Sequence, residues 1–268
     1  MPPAREKSAR DLLDFYLEAG VDALVGEAPV DRFAPETVAP PARAPQPVVL
    51  PSDLEIKGRA SPPVAPIAPD EAAMAARAAA KTAETLDELR AILEKFDGCA
   101  LKATATQLVF ADGNPKARVM LVGEAPGRDE DIEGLPFVGR SGKLLDRMLA
   151  AISLDRTKVY IANIVPWRPP GNRTPTPQES QICLPFILRQ IELADPDILV
   201  CLGGPSAQTL LGIKEGITKT RGRWFTFNTG KREISAMPTF HPAFLLRSPL
   251  QKRFAWRDFL AIKKALSQ

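Results

Sequence analysis

The 268 residues leave room for one large domain or two small ones, and 45% hydrophobic with 25% charged residues is the composition of a folded globular protein. The net charge of +3 is mildly basic, compatible with a nucleic-acid partner but too small to argue for one alone. No apolar run approaches the length of a membrane span, so no membrane partner is expected, and three cysteines, an odd number, argue against a disulfide framework.

The first residues, Met1 to Lys7, lack the apolar core of a secretion signal, so the expected location is the cytoplasm. Residues 1–27 hold one short amphipathic helix over 8–26. Ser8 with Asp11 resembles a capping box, and Leu12, Leu13, Tyr16, Leu17 and Val21 recur at helical spacing. Such a helix is either a weakly stable appendage or a dock for a protein partner. Residues 28–70 read as a Pro/Ala-rich disordered linker, since eleven of the chain's 27 prolines fall there and few aromatics accompany them.

The folded domain is expected over 71–268, starting with one helix at 71–95. Short apolar runs predict strands at Val119–Val122, Val159–Val165, Ile198–Leu202 and Ile234–Phe240. Helical patterns separate or follow them at Gly142–Ile152, Pro177–Ala194, Pro205–Leu211 and Leu250–Leu266. Alternation of this kind implies βαβ units. The expected fold is α/β: a three-layer α/β/α sandwich around a central four-stranded, mostly parallel sheet, preceded by a disordered N-terminal arm. No internal repeat is visible, and a monomer is expected.

Each predicted strand runs into an unusual turn. The first ends in Gly123-Glu124-Ala125-Pro126-Gly127, followed by Gly134-Leu135-Pro136-Phe137-Val138-Gly139 and a helix near Ser141. The second ends at Asn163 and continues through Trp167 to Asn172 and Arg173; the third gives Gly203-Gly204-Pro205-Ser206; the fourth gives Thr239 to Arg247 around His241, the one histidine of the chain. In a parallel sheet these ends converge on one edge, where open α/β sheets build their sites. A carboxylate, two asparagines, a phenylalanine and a histidine should therefore share a cleft.

The GEAPG…GLPFVG turn, the RPPGNRTPTPQE segment and the HPAFLLR segment, in this order over about residues 95–260, resemble the bacterial and archaeal uracil-DNA glycosylases of the fourth family. The resemblance implies an enzyme of base-excision repair that flips uracil from single- or double-stranded DNA of the nucleoid, hydrolyses its glycosidic bond and leaves an abasic site. It assigns Asn163 to the uracil edge, Phe137 to stacking on the flipped base, and His241 to the departing anion at O2. Glu124 would orient water or stabilise the sugar cation, and Asn172 would position the same water. Ala125 stands where some other uracil glycosylases carry aspartate, and Glu130 matches an acidic position that supports the pocket. For Asp129, Asp131 and Glu133 a solvated acidic loop is expected. Leu245 or Leu246 would wedge into the vacated base stack, and Arg247, with Lys252 and Arg253, would meet phosphates. Gly127, Gly139 and Ser141 would offer backbone N–H groups to the DNA backbone.

The family usually holds an iron–sulfur cluster on four cysteines, and the corresponding positions here read Cys99, Lys102, Trp167 and Cys183. Four-iron clusters require four thiolates or close substitutes. The expectation is that no cluster and no metal is bound, that Trp167 fills the space, and that Cys201 faces the core. The sequence admits three competing readings. A phosphate-binding loop at Gly134–Ser141 is rejected, since Arg140 replaces the needed lysine and no strand precedes it. A glycosylase for another base such as hypoxanthine, and a module that binds damaged or abasic DNA with little turnover, are the remaining alternatives.

Overall fold

The structure, a computed structural model, describes residues 69–267; the expectations for residues 1–27 and for the linker up to residue 68 lie outside the described residues. It begins with helices α1 (Pro69–Thr82) and α2 (Leu86–Lys95). The sequence predicts one helix here, and the break has a local cause. Thr85 caps α2 by accepting from the Glu88 N–H at 3.2 Å, while Glu88 reaches back to the Glu84 N–H at 2.7 Å. This is a capping signature hidden inside a run of good helix formers.

Next come β1 (Asp112–Gly113), β2 (Val119–Gly123), α3 (Arg128–Glu133) and α4 (Arg140–Ala151). They are followed by β3 (Tyr160–Asn163), α5 (Pro177–Ala194), β4 (Ile198–Leu202), α6 (Gly204–Leu211) and α7 (Ile217–Thr220). The chain closes with β5 (Phe225–Asn228), β6 (Glu233–Thr239), α8 (Pro242–Arg247) and α9 (Lys252–Leu266). Among the described residues no helix is long and apolar enough to cross a membrane.

Among the described residues the sheet has six strands, in the order β1-β3-β2-β4-β6-β5, not four. The four predicted strands form its parallel centre, and the two additional ones are antiparallel edges. Both edges carry weak sequence signals, β1 because it is two residues long and β5 because its four residues alternate buried and exposed only in part. Central strands are buried on both faces, as βαβ sheets require.

Alternate residues feed two cores. Met120, Val122, Tyr160, Ala162, Leu199 and Cys201 face α1, α2, α5 and α6, where Leu89, Leu93, Phe186, Ile187 and Ile191 close the layer. Val119, Leu121, Ile161, Ile198, Val200 and Met237 face α4 and α9, through Leu145, Leu149, Phe259 and Ile262. Each such aliphatic or aromatic side chain contributes about 1.5–3 kcal/mol when fully buried. The three-layer α/β/α arrangement thus follows from strand periodicity. Register then aligns the strand ends, with Gly123 opposite Asn163 and Leu202 opposite Thr239.

Candidate active site

At the aligned carboxyl ends lies a cleft of about 610 Å³, lined by Glu124, Asn163, Phe137, Asn172, His241 and Arg247 together with their turns. Ala125, Gly127, Glu130 and Ser141 line it as well. The convergence expected of a parallel sheet therefore brings these residues from four separate turns to one place.

Gly123 is the floor of this cleft. A Cβ there would collide with Asn163 Oδ1 and stand 2.7 Å from Phe137 Cζ, so the missing side chain is what lets the amide and the ring approach each other. Asn163 is 5% exposed, and its Oδ1 is buried without a hydrogen-bond partner among the described residues. Glu124 Oε1 is in the same condition. Orphan buried acceptors are uncommon in folded proteins, because each has given up water without a replacement. Both belong to cleft residues, where a ligand donor would complete them. Burial raises the Glu124 carboxyl above its ordinary 4.5.

Phe137 is buried and holds a left-handed backbone, φ 56°. Its ring centroid lies 5.4 Å from that of His241, with the planes tilted 33°. Helix α4 abuts the Phe137 carbonyl so closely that only glycine fits at position 142. Glu130 ties the two turns together: Oε2 accepts from the Gly127 N–H at 3.0 Å, and Oε1 accepts from Val138 and Gly139 at 3.1 and 3.0 Å. The N–H groups of Gly127 and Gly139 are thereby occupied inside the protein rather than offered to phosphate. The same bonds prevent the 134–141 stretch from acting as a phosphate cradle.

Asp131 departs from the solvated acidic loop expected for it. It is 3% exposed and accepts from the Thr106 N–H and hydroxyl at 2.8 and 2.9 Å, because α3 turns this face inward while Asp129 and Glu133 stay outside the core. Arg168 lies 3.9 Å from Asp131 and donates through Nε to Asn172 Oδ1 at 2.7 Å. Asn172 is also left-handed, φ 55°, and with Oδ1 engaged it presents its NH2. Arg173 forks onto Glu179 at 2.8 and 2.7 Å, and Glu179 completes the capping box of α5 with Thr176, which fixes this long turn.

His241 is the N-cap of α8, its Nδ1 accepting from the Ala243 N–H at 3.1 Å. An accepting Nδ1 carries no proton, so the neutral ring holds its hydrogen on Nε2. Burial, reinforced by the Arg247 charge, pushes its pKa down to about 4. The strand end beneath it is anchored by Thr239 Oγ1 donating to the buried Asp258 at 2.7 Å, and Arg221 forks onto the same carboxylate. Gly203, φ 100°, passes 3.1 Å from His241 Cβ by the position a side chain would take.

The two wedge candidates separate. Leu245 is 1% exposed and packs with Phe240 and Ala255, whereas Leu246 is 37% exposed beside Arg247. The buried position follows from α8 turning one face onto the core, which leaves Leu246 as the presented apolar residue. Arg253 covers the Phe254 ring at 4.7 Å, and Lys252 borders a separate apolar cavity rather than the cleft.

Away from the cleft, Cys99 and Cys183 are buried with their sulfurs 3.9 Å apart, and Trp167 is buried in the same core. The Cys99 thiol is lowered by the bond from Cys183, whose own thiol that bond and burial push up. Lys102 turns its ammonium to Asp97 and the Glu94 carbonyl, at 2.6 and 2.7 Å. Two thiols and an indole do not make a four-thiolate donor set, and among the described residues no group of three or more metal-ligating side chains occurs. Burial pushes Cys201 up to about 12. The sequence does not reveal Gly123 as a floor, Asp131 and Arg168 as supports, or Arg156, described below; Gly123 and Arg168 lie inside the quoted motifs and Asp131 and Arg156 outside them, but only three-dimensional pairing shows what each supports.

A sequence model of the uracil DNA glycosylase superfamily matches residues 110–260 of this chain. Among curated proteins, the type-4 uracil-DNA glycosylase of Thermotoga maritima is 45% identical over 157 residues, covering 58% of this chain and 80% of that protein. Those of Saccharolobus solfataricus and Archaeoglobus fulgidus are 42% and 39% identical, covering 68% and 66% of this chain and 87% and 91% of theirs.

Proposed function

The chain belongs to the uracil DNA glycosylase superfamily, and from that membership we infer that it is a DNA-repair glycosylase that removes uracil from DNA. It acts on DNA and cleaves an N-glycosidic bond as an enzyme; the binding module without turnover is not favoured. The observation that carries the uracil reading is the orphan Asn163 Oδ1 beside the Phe137 ring. Uracil flipped into the cleft brings an N3–H donor for that oxygen and an O4 acceptor for the amide NH2. Cytosine would bring an acceptor at N3 and a donor at the exocyclic amine, leaving both pairs mismatched, and unmatched buried polar groups are costly.

Phe137 supplies the stacking face. As the bond breaks, negative charge grows on uracil O2 and positive charge on the sugar. The neutral His241, with its hydrogen on Nε2, is a ready donor to O2 that needs no reorganisation. Glu124, half-buried with Oε1 lacking a partner among the described residues, supplies a carboxylate for the sugar cation or the attacking water, and the Asn172 NH2 holds that water. Among the described residues no lysine lines the cleft, which supports an abasic site without strand scission as the product. In this reading DNA is held by Arg247 and penetrated by Leu246, and the protein works on the nucleoid in the cytoplasm.

The pH profile should separate the two titratable groups. His241 stays neutral above about pH 4, so it sets no acid limb near neutrality. Glu124 must be ionised to act, and its raised pKa moves the acid limb of kcat/KM above the ordinary carboxylate value of 4.5. Activity should fall as pH drops through that limb. Glu124→Gln should leave a low rate that is flat down to about pH 4; a limb unchanged in this variant would remove Glu124 from the ionising role.

We also propose that the enzyme works without an iron–sulfur cluster. Support comes from Trp167, buried in the same core as the two thiols, and from the Lys102 ammonium, which is bonded to Asp97 and the Glu94 carbonyl. The test is excision from a single-uracil oligonucleotide under multiple turnover, with iron assayed on the same anaerobically purified sample. Free uracil released by a protein with less than about one iron per ten chains is the expected result. Stoichiometric iron with a visible charge-transfer band would overturn the cluster-free reading, and absence of released uracil would overturn the activity.

A further inference from the structure

We propose that Arg156 is the positioning residue that fixes the Phe137 ring for base stacking, acting from outside the cleft. The proposal rests on the reading of Phe137 as the ring that stacks on the flipped base. Arg156 lies in the turn just before β3 and is not one of the residues lining the cleft. Its guanidinium donates to the Pro136 carbonyl at 3.1 Å and to the Phe137 carbonyl. Two carboxylates hold the guanidinium in turn, Asp112 on β1 at 2.5 Å and Asp146 on α4 at 2.8 Å.

Phe137 needs such a clamp. Its φ of 56° is a conformation that side-chain-bearing residues adopt only when the surroundings over-determine it. Glu130 fixes the next two N–H groups and Gly142 admits α4 from behind, but among the described residues only Arg156 takes hold of the carbonyl oxygens of Pro136 and Phe137 themselves. Four polar atoms fixed on one peptide segment hold the backbone from which the ring reaches over Gly123. A lysine cannot substitute, because one ammonium cannot span two carbonyls and two carboxylates in a planar fork.

A double-mutant cycle on the full chain tests this. Arg156→Met, Phe137→Ala and the double variant are compared for kcat/KM on a uracil oligonucleotide and for inhibition by free uracil, at a temperature well below each melting point. Arg156→Met should lower kcat/KM by about 10–100-fold, the scale of a misplacement near 1 Å, and weaken free-uracil inhibition. In the Phe137→Ala background the same change should cost nothing further. A merely structural role would lower the melting temperature and leave uracil inhibition of the folded protein unchanged, which overturns the proposal, as do multiplying losses. If Arg156→Met does not fold, Arg156→Lys is read the same way and should restore little. If Phe137→Ala alone leaves kcat/KM and uracil inhibition intact, the stacking role of Phe137 fails, and the proposal with it.

Discussion

His241→Ala should lower kcat for uracil excision by about 10²–10³-fold, the usual effect of removing one donor to a developing oxyanion. The geometry makes the loss a chemical one. Nδ1 is committed to the Ala243 N–H, so the ring has one hydrogen, on Nε2, and one free direction. With a pKa of about 4 the ring is neutral when the bond breaks, and the whole contribution is a hydrogen bond that strengthens as charge moves onto the base. Alanine also removes the cap of α8, which costs about 0.5–2 kcal/mol of stability. His241→Asn separates the two effects, because an asparagine oxygen caps the same N–H without reaching as far as Nε2. Single-turnover rates should drop in both variants, while the melting temperature recovers only in His241→Asn. Recovery of the rate along with stability would show that capping, not anion stabilisation, is what this residue contributes.

Most of this fold was legible because its centre obeys simple periodicity. Four short apolar runs became the four parallel strands, and the helices at Gly204–Leu211 and Pro177–Ala194 lie within a residue of expectation. The expected α/β/α layering holds, with a six-stranded sheet in place of four strands. What escaped depended on few residues or on distant partners. The two-residue β1 is a strand only because β3 lies beside it. The break at Thr85 is a side-chain N-cap, with Glu88 reaching back to the Glu84 N–H, in a sequence that is otherwise uniformly helical. The site was legible in its motif residues and illegible in their supports. Asp131 reads as one more acid in an exposed loop until Thr106, 25 residues earlier, is seen to bond it. Arg156 reads as an ordinary turn cation until its 19-residue reach to Phe137 is visible. Leu245 and Leu246 are equivalent in sequence, and only the orientation of α8 distinguishes them.

Gly123→Ala is expected to reduce kcat/KM by about 10²-fold with the fold retained. Position 123 ends a β-strand and its backbone lies outside the positive-φ region, so alanine is conformationally acceptable there. The obstacle is space: the added methyl would meet Asn163 Oδ1 and the Phe137 ring, both of which can move only by leaving their places in the cleft. A displacement near 1 Å of reading and stacking groups costs about 10²-fold in rate, and overpacking itself costs about 1–3 kcal/mol of stability. The two effects are distinguishable, since a destabilised but well-formed site keeps its affinity for free uracil, whereas a displaced amide and ring lose it. Circular dichroism melting and uracil inhibition measured together decide the case. A variant with unchanged kcat/KM would mean that Asn163 and Phe137 are not held against each other by the missing side chain, and the account of uracil selection built on their approach would have to be abandoned.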